Sequence, residues 1–536
     1  MRKNVKKQLA LRVLSTAALM AMVSSIATAA FAATYDLNTG SVTVETKDDG
    51  YTYVTQENSK GSNGQPDTTG VTITSYGHQT SNTITVETAK DQTTNVTLEN
   101  VHIESSSIWS SDPAPIEIKG KGDTNLELNG DNIVLSGNSE HAGIEKADKY
   151  GHGTLTIKDD VNDDGKLLAG GFNNSAGIGG GGTGDTANTS NITITGGDII
   201  ASGGYYGAGV GGGNGGNASN IRIEGNAHVT AFAECGAAIG SGYQSSGNRD
   251  ITITDHATVT AASLDGCAIG SGQDASGKVT VTISGNASVN AQTRNPPAAI
   301  GSDRSSATVN IEDHADVTAV GGGVAIGTGC GNGGNSTAIN ITGGTVNAVT
   351  RDDSRPAIGT VGGNLDLTIN SSTGKTTVNA YTTSNDPLSL IGTGRYDSSS
   401  YDYRTSPSEG AEYSEDGSSH LGESNASVIN SYRNTTLSPD TFNAPKTLDA
   451  YAFRESTSHT LSGKDKDKGD LTKVVHNRKY MEEHPEIVDI NKLENSDLHD
   501  WRLVGEVVEP TLEKDGYADY VCRIDKCGQT KHVVLP

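Results

Sequence analysis

The chain has 536 residues, of which 64 are acidic and 39 are basic, and its formal net charge is −25. A surface this acidic repels phosphate groups, which excludes nucleic acid as a partner and disfavours anionic membranes. Aromatic residues make up 5% of the chain and 68 residues are glycine. This composition does not suit one thick globular core and favours a thin repeat structure.

Residues 1–32 have the pattern of a secretory signal peptide. Basic residues occur between positions 2 and 12, an apolar run follows from Val13 to Ala27, and Ala30 and Ala32 fit cleavage after residue 32, with Ala29 as a second option. The run is too short to span a bilayer. We therefore expect no membrane span and a secreted bacterial protein, extracellular or associated with the cell surface. Removing this segment takes away five basic and no acidic residues, so the charge moves from −25 to −30.

Residues 33–140 contain alternating apolar and polar stretches, such as Val42–Val44 and Ile84–Val86, that predict strands at irregular spacing. We interpret them as the irregular N-terminal coils of a solenoid. An end coil must shield the apolar interior from water, so irregularity is expected there.

A short apolar phrase followed by glycine returns throughout residues 141–394, which predicts a regular repeat array. Its apolar residues are Ile144, Ile178, Val210, Ile239, Ile269, Ile300, Ile326, Ile358 and Ile391. Their spacings range from 26 to 34 and average about 31 residues, a period typical of solenoids, propellers and arrays.

The unit at residues 251–272 shows what each repeat contains. Ile251–Ile253 and Ala257–Ala261 alternate with period two, a third short strand ends at Ile269, and Gly, Asn or Asp turns separate them. Three short strands per repeat predict one coil of a right-handed parallel β-helix, an all-β fold in which the aliphatic residues stack into an internal ladder. A propeller blade would need four longer strands over about 40–50 residues.

The periodicity stops at Arg395. Residues 395–428 are rich in Ser, Tyr, Asp, Glu and Gly and predict a flexible linker. Residues 429–536 are interpreted as a small C-terminal module, β-rich in its last part.

The five cysteines are an odd number for a secreted protein. Cys235 and Cys267 belong to adjacent coils, but they precede their ladder residues by four and two positions. This offset leaves a disulfide open and favours two buried free thiols. Cys330 lies in a glycine turn and has no evident partner.

Residues 94–394 resemble the carbohydrate-binding-domain-like β-helix proteins of bacterial cell surfaces, which are related in shape to pectate lyases. The matching phrases are Asn95–Glu99, Ala114–Ile118, Asn125–Asn129, His141–Ile144, Gly153–Ile157, the Gly-Ile-Gly-Gly run that begins at Gly177, and Ile192–Gly197. The resemblance implies a pectate-lyase-like architecture and glycans as ligands.

The tail, His499 to Lys531, resembles a small module common at the ends of such surface proteins. That module usually has a cysteine after Pro-Thr and a Cys-x-x-Cys pair, whereas this chain has Leu512 and the wider pair Cys522 and Cys527. Two thiolates do not fill a tetrahedral zinc shell, so a local disulfide or two free thiols is expected.

A lyase of this shape would need clustered acidic calcium ligands and a basic residue on one face. In the outward columns of the first strand, Arg222 and Glu224 are the one charged pair with an acid–base character, and a solvated ion pair explains them equally well. They also break the flat threonine array that ice binding would require. We predict no assembled active site and hence no enzyme, with a polysaccharide lyase or hydrolase as the remaining alternative.

Asp160, Asn162, Asp164 and Gly165 fit the first half of a calcium loop, D-x-N-x-D-G. The bidentate acid expected at the twelfth position is absent, because Gly171 stands there. The pattern predicts an acidic turn, with a structural calcium ion as the alternative and no other cofactor.

Four aromatic residues beside Gly, Ser and Asn are the candidate ligand-binding residues: Tyr205, Tyr206, Tyr243 and Trp109. Aromatic faces flanked by short polar side chains suit sugar rings, and they suit protein partners as well. The alternative is that each ring covers its own loop.

The sequence thus predicts a secreted, non-catalytic surface β-helix that binds extracellular glycans or host glycoproteins such as mucin. The first alternative is an adhesin or host-protein binder, for example of immunoglobulin, that acts through protein–protein contacts. The second is a polysaccharide lyase or hydrolase.

Overall fold

The computed structural model describes residues 33–58, 66–67, 70–105, 113–330, 335–350, 355–361, 364–369, 376–382, 391–397, 402–404, 427–432, 501–508, 516–522 and 530–535. The segment predicted to be a signal peptide lies outside them. Within these ranges, no helix is both long enough and apolar enough to cross a membrane.

Strands and tight turns alternate along the described chain. The first nine strands are β1 (Ala33–Asp36), β2 (Val42–Thr46), β3 (Thr52–Gln56), β4 (Pro66–Asp67), β5 (Val71–Thr74), β6 (Gln79–Thr80), β7 (Ile84–Thr88), β8 (Thr93–Glu99) and β9 (His102–Ser105). The next twelve are β10 (Ile116–Gly120), β11 (Asp123–Asn129), β12 (Asp131–Ser136), β13 (Ile144–Glu145), β14 (Leu155–Lys158), β15 (Lys166–Gly170), β16 (Ile178–Gly179), β17 (Thr189–Ile194), β18 (Asp198–Ser202), β19 (Val210–Gly211), β20 (Ala218–Ile223) and β21 (His228–Ala233).

Each of the following coils contains two longer strands and then one short strand. They contain β22 (Ile239–Gly240), β23 (Arg249–Ile253), β24 (Thr258–Ser263), β25 (Ile269–Gly270), β26 (Val279–Ile283), β27 (Ser288–Thr293), β28 (Ile300–Ser302), β29 (Ala307–Ile311), β30 (Asp316–Gly321), β31 (Ile326–Thr328), β32 (Ser336–Ile341) and β33 (Gly344–Thr350). The last strands are β34 (Ile358–Val361), β35 (Asn364–Ile369), β36 (Thr376–Thr382), β37 (Ile391–Asp397), β38 (Asp402–Arg404), β39 (Ser427–Tyr432), β40 (Trp501–Val508), β41 (Gly516–Cys522) and β42 (Thr530–Leu535). Three short 3₁₀ helices lie between strands at Leu37–Thr39, Asp148–Tyr150 and Gly184–Thr186.

The strands stack into three long sheets, because each coil gives one strand to each sheet. Sheet A contains β1, β5, β8, β11, β14, β17, β20, β23, β26, β29, β32 and β35. Sheet B contains β38, β37, β34, β31, β28, β25, β22, β19, β16, β13, β10, β7, β2, β3 and β4, and sheet C contains β39, β36, β33, β30, β27, β24, β21, β18, β15, β12, β9 and β6. This stacking confirms the predicted all-β parallel β-helix.

The internal ladder is confirmed residue by residue in sheet B. All nine predicted aliphatic residues, from Ile144 to Ile391, lie in register with their counterparts in the next coil. Each is at most 3% exposed. Similar columns from sheet A, such as Ile251, and sheet C, such as Val259, complete the interior. Burying one such side chain contributes roughly 1.5–3 kcal/mol, so the ladder is the main source of stability.

A glycine follows every ladder residue from Ile178 to Ile391, and the stacking of the coils requires it. Gly240 has a φ of +141°, and a Cβ on it would lie 1.9 Å from the carbonyl oxygen of Gly270 in the next coil. A side chain would therefore push two coils apart at this point. The same close approach recurs at Gly179, Gly211, Gly270, Gly301, Gly327 and Gly359.

The N-terminal coils are irregular because the chain turns back on itself there. Strand β2 pairs in parallel with β7 and antiparallel with β3. Leu37, in the first 3₁₀ helix, is completely buried at this end of the interior. Gln56 Nε2 donates hydrogen bonds to the carbonyl oxygens of Asp36, at 2.7 Å, and Gly40, at 3.2 Å. These contacts shield the first rungs of the ladder from water.

The solenoid strands continue past the predicted end of the array at residue 394. Strand β37 extends to Asp397 and pairs antiparallel with β38, inside the predicted linker 395–428. Strand β39 pairs in parallel with β36 and adds a strand to sheet C across the predicted boundary at residue 428. This strand lacks the apolar-glycine phrase of sheet B, which is why the repeat period did not reveal it.

The C-terminal region contains the predicted β structure. Strands β40, β41 and β42 form an antiparallel sheet of their own. Trp501 pairs across it with Cys522. Cys527 lies outside the described residues, so its state stays a prediction.

The described cysteines of the coils, Cys235, Cys267 and Cys330, carry thiols rather than disulfides, as the sequence favours for Cys235 and Cys267. The Cys235 Sγ atom lies 3.9 Å from Asp265 Oδ2 in the next coil. Cys235 is aligned with Asp265 rather than with Cys267, because Cys235 and Asp265 each precede their ladder residue by four positions. Burial raises the pKa of the Cys267 thiol to about 12. Cys330 accepts a 3.5 Å hydrogen bond from Arg355 Nη1.

Candidate functional site

Two loops of each coil fold against each other beside sheet B. One loop enters the short ladder strand and the other leaves it. The amide of Ala208 donates to the carbonyl of Gly212, and Ala237 donates to Ser241 in the same way, both at 2.9 Å. The paired loops of successive coils form a ridge, which we call the flange (residues 171–182, 203–217, 234–248, 264–278 and 294–306).

The flange gathers three of the four predicted aromatic residues into one cluster. The ring centroids of Tyr205 and Tyr206 are 4.4 Å apart in an edge-to-face arrangement. Tyr206 and Tyr243 come from adjacent coils and their centroids are 5.0 Å apart, with the rings tilted by 39°. The amide of Tyr243 donates to the carbonyl of Tyr206 at 2.9 Å, which fixes their spacing. All three side chains are half-buried, whereas Trp109 lies outside the described residues.

The phenol groups of Tyr205 and Tyr243 stay protonated at physiological pH, because the pKa of each is raised. Burial, followed by the charges of Cys235 and Glu234, raises the pKa of Tyr205. Burial and the charge of Asp274 raise the pKa of Tyr243. Neutral phenols both donate and accept hydrogen bonds, so the cluster presents aromatic carbon together with hydroxyl groups.

Amide side chains lie in the loops that carry the tyrosines and in the preceding coil. Asn214 Nδ2 donates to Asn174 Oδ1 at 3.1 Å, and the backbone amide of Asn214 donates to the carbonyl of Asn174 at 2.7 Å. Gln244 Nε2 donates to Tyr243 Oη at 2.9 Å. Both asparagines are half-buried and Gln244 is exposed. Their remaining donors and acceptors suit the hydroxyl groups of a polar ligand.

Charged and amide side chains lie on the C-terminal side. Asn295 Nδ2 donates to Asp265 Oδ1 in the preceding coil. Arg304 Nη2 lies 3.1 Å from Asp274 Oδ1, and Arg304 Nε lies 3.5 Å from the buried Asp303. The Arg304 guanidinium is thus already engaged by two carboxylates, whereas Arg294, beside Asn295, is exposed.

A buried arginine holds the Tyr243 loop from inside the flange. Arg249 is 1% exposed, and burial lowers its pKa to about 10. Its Nε donates to Ser241 Oγ at 2.8 Å, its Nη2 bonds Ser245, and its Nη1 donates to the carbonyl of Gly277 in the next coil. These bonds bracket Tyr243 on both sides and fix the loop that carries it.

The residues of the possible calcium loop point to different partners. Asp160 Oδ2 lies 2.7 Å from Lys158 Nζ. Asn162 Nδ2 donates to Asn129 Oδ1 at 3.2 Å, and Asp164 Oδ1 accepts from the amide of Gly130 at 3.4 Å. In the part of the chain that the structure describes, no three His, Cys, Asp or Glu side chains come together to hold a metal ion.

The charged pair on sheet A forms a closed ion pair. Arg222 Nη2 and Nε both donate to Glu224 Oε2, at 2.6 and 3.0 Å. Arg222 lies in register between Thr193 and Thr252, so its outward column is as predicted. Because the two charges neutralise each other, the pair stabilises the outer face of sheet A.

Sequence reasoning missed a pair of neighbouring carboxylates beside the first coil of the flange. The register of sheet B brings Glu117 and Glu145 side by side on neighbouring strands. They are 5% and 0% exposed. Lys119 Nζ lies 2.6 Å from Glu117 Oε2, and His141 Nδ1 lies 2.8 Å from Glu145 Oε2. Glu145 Oε1 accepts no hydrogen bond from the described residues.

A departure from the repeat in the sequence marks the position of Glu145. Glu145 occupies the position that glycine takes in the next coil, where Gly179 aligns with it. Burial raises the pKa of Glu145, the hydrogen bond from His141 opposes this rise, and the neighbouring charge of Glu117 adds to it. Because both carboxyl groups are buried, a polymer on the surface does not reach them.

Replacing Glu145 with glutamine should remove part of the pH dependence of stability. An unfolded glutamate loses its proton near its ordinary pKa of about 4.3, whereas the buried carboxyl loses it at higher pH. The wild type is therefore fully stabilised below the ordinary value and loses stability as the pH rises through the raised one. We expect a flatter profile for Glu145→Gln in urea unfolding between about pH 4 and pH 8.

The matched control is Glu87→Gln, because Glu87 is exposed on the same sheet. This variant should keep the wild-type slope. A wild-type slope in Glu145→Gln as well would show that the buried carboxyl does not control the profile.

A family model described as Beta helix repeat matches residues 251–273. No curated protein and no solved structure matches the chain. The matched residues form one coil, from β23 to just beyond β25. Together with the three stacked parallel sheets, the match supports placing the chain among the parallel β-helix proteins.

Proposed function

We propose that this protein is a secreted, non-catalytic surface β-helix that binds extracellular glycans or host glycoproteins through the tyrosine cluster of the flange. The observation that carries the proposal is the cluster itself. Tyr205, Tyr206 and Tyr243 come from two coils and lie together, half-exposed, between amide and carboxylate side chains. Stacked aromatic carbon beside hydrogen-bonding groups fits the C–H faces and hydroxyl groups of sugar rings.

The composition of the flange favours a sugar over a protein at this cluster. A standard protein interface buries about 800 Å² on each partner and centres on fully desolvated anchors. Here the rings are surrounded by polar side chains. Among the described residues, the exposed large apolar side chains are Tyr51, Tyr76 and Val161, which lie in three different turns. A non-catalytic role fits the burial of Glu117 and Glu145.

A second candidate is an adhesin that binds a host protein, for example an immunoglobulin, through sheet A. The outward side chains of this sheet form a long column in register, which offers a flat polar surface. Its members are Asn95, Asn125, Thr156, Thr193, Arg222, Thr252, Thr282, Asn310 and Asn340.

The test is binding of the full chain to an array of glycans and to mucin before and after deglycosylation. The double variant Tyr206→Ala/Tyr243→Ala should weaken glycan binding about tenfold or more, because each aromatic contact contributes roughly 0.5–1.5 kcal/mol and 1.4 kcal/mol is tenfold. The control Tyr51→Ala removes an exposed tyrosine elsewhere and should bind normally. Unchanged urea midpoints would show that the variants are folded.

Deglycosylation separates the two candidates. Loss of mucin binding after deglycosylation supports the glycan-binding function. Binding that persists after deglycosylation and is unaffected by the tyrosine variant would contradict it and favour contact through sheet A.

A further inference from the structure

We infer that the ligand is an uncharged linear polysaccharide that lies along the solenoid axis, with successive sugar rings on successive coils. This inference rests on the glycan-binding function proposed above and adds the ligand's length, direction and charge. A terminal sugar or a branched cap would need a closed pocket. The flange presents instead an open row of side chains that repeats once per coil.

The direction follows from the way the loops stack. Tyr205 lies next to Cys235, Cys235 next to Asp265, and Asp265 next to Asn295, each one coil further along. A second row beside it leads from Asn214 to Tyr243, whose carbonyl accepts a hydrogen bond from the amide of Gly215. Both rows run parallel to the axis, so a chain lying along them meets the same positions of the loops at successive coils, although the side chains at those positions differ.

The spacing supports one sugar per coil. Adjacent parallel strands are roughly 4.8 Å apart, and the centroids of Tyr206 and Tyr243 are 5.0 Å apart. A pyranose ring in an extended chain has a similar length. The polar rows extend from Asn174, in the coil of Ile178, to Arg304, in the coil of Ile300. These five coils span roughly 19 Å, which corresponds to about four rings.

The charges select an uncharged chain. Asp265 and Asp274 are half-exposed beside the tyrosines. The cations of the flange are Lys278, Arg294 and Arg304. Arg304, whose charge reaches Tyr243, is already paired with Asp274 and Asp303. A uronate or sialate carboxylate on the tyrosines would meet two acids beside a guanidinium that is already engaged, on a chain whose net charge is −25. Like charges at a contact weaken binding and favour other partners.

The test is calorimetric titration of the full chain with cellulose, chitin and xylan oligosaccharides from two to six rings, and with hexagalacturonate. Affinity should rise about tenfold from two to four rings and then level off, since each added ring gains hydrogen bonds on one more coil. Hexagalacturonate should bind at least about tenfold more weakly than the best uncharged hexasaccharide.

Two paired variants locate the extended contact. Asn174→Ala/Asn295→Ala, in the first and the last of the five coils, should weaken hexasaccharide binding about tenfold and leave binding of a disaccharide on the two tyrosine coils unchanged. The control Asn95→Ala/Asn125→Ala removes a comparable amide pair, 2.8 Å apart, from sheet A and should change neither. Tyr206→Ala/Tyr243→Ala should weaken binding at every length.

Each contrary result has a separate meaning. A disaccharide that binds as tightly as the hexasaccharide would overturn the extended mode and leave the glycan-binding function intact. Equal affinity for hexagalacturonate would overturn the selection for uncharged chains. If no oligosaccharide binds, or if the tyrosine variant binds normally, the result would contradict both the proposed function and this inference.

Discussion

Replacing Gly240 with alanine should prevent the formation of a stable solenoid. Gly240 has a φ of +141°, which L side chains rarely adopt, and the new Cβ would lie 1.9 Å from the carbonyl oxygen of Gly270. The backbone conformation alone costs about 1–3 kcal/mol. Because the atom in the way belongs to the backbone of the next coil, relief requires two coils to separate. We expect a loss of more than about 4 kcal/mol in the free energy of unfolding.

Gly215→Ala is the matched control. Gly215 also has a positive φ, of +76°, but an added Cβ would meet nothing within 4 Å. This variant should therefore lose about 1–2 kcal/mol from the backbone conformation. Urea unfolding followed by circular dichroism measures both. If Gly240→Ala is as stable as Gly215→Ala, the close contact between coils does not limit the fold.

Replacing Ile269 with alanine should lower the free energy of unfolding by about 2–5 kcal/mol. Ile269 is completely buried and lies in register between Ile239 and Ile300. Truncation would leave a cavity between two rungs, and the stacked backbones on either side restrict its collapse. The effect combines lost burial with lost packing.

Ile269→Val serves as the graded comparison. It removes a single methylene group and should cost about 0.5–1.5 kcal/mol. The chain itself has valine at this rung in one coil, Val210, so the shape is compatible with the ladder. Equal losses for the alanine and valine variants in urea unfolding would contradict a stability that depends on ladder packing.

The fold could be predicted because its main determinant is periodic. An aliphatic residue followed by glycine recurs at nearly constant spacing, and two alternating strands precede it, as Ile251 and Val259 precede Ile269. A parallel stack then places each member beside its counterpart. The period alone does not predict β39, because Ser427–Tyr432 belongs to sheet C and lacks the phrase that marks sheet B.

The site could be predicted in part. The tyrosines are predicted as ligand-binding residues because they lie beside Gly, Ser and Asn in turn segments, but their contact with one another depends on two loops folding together. Tyr206 and Tyr243 are 37 positions apart, more than one repeat, so the period alone does not pair them. The contact between Asp265 and Asn295 depends on the register of the loops, which the structure shows and the repeat period does not.

The central claim is that a glycan contacts the tyrosine cluster of the flange, and hydroxyl-radical footprinting tests it most directly. The full chain would be labelled with and without the uncharged hexasaccharide that it binds most tightly, and modification would be read by mass spectrometry. We predict protection of Tyr205, Tyr206 and Tyr243, with Tyr51 and Tyr76 unchanged. Protection confined to sheet A or to another part of the chain, with the three tyrosines modified as before, would contradict the claim.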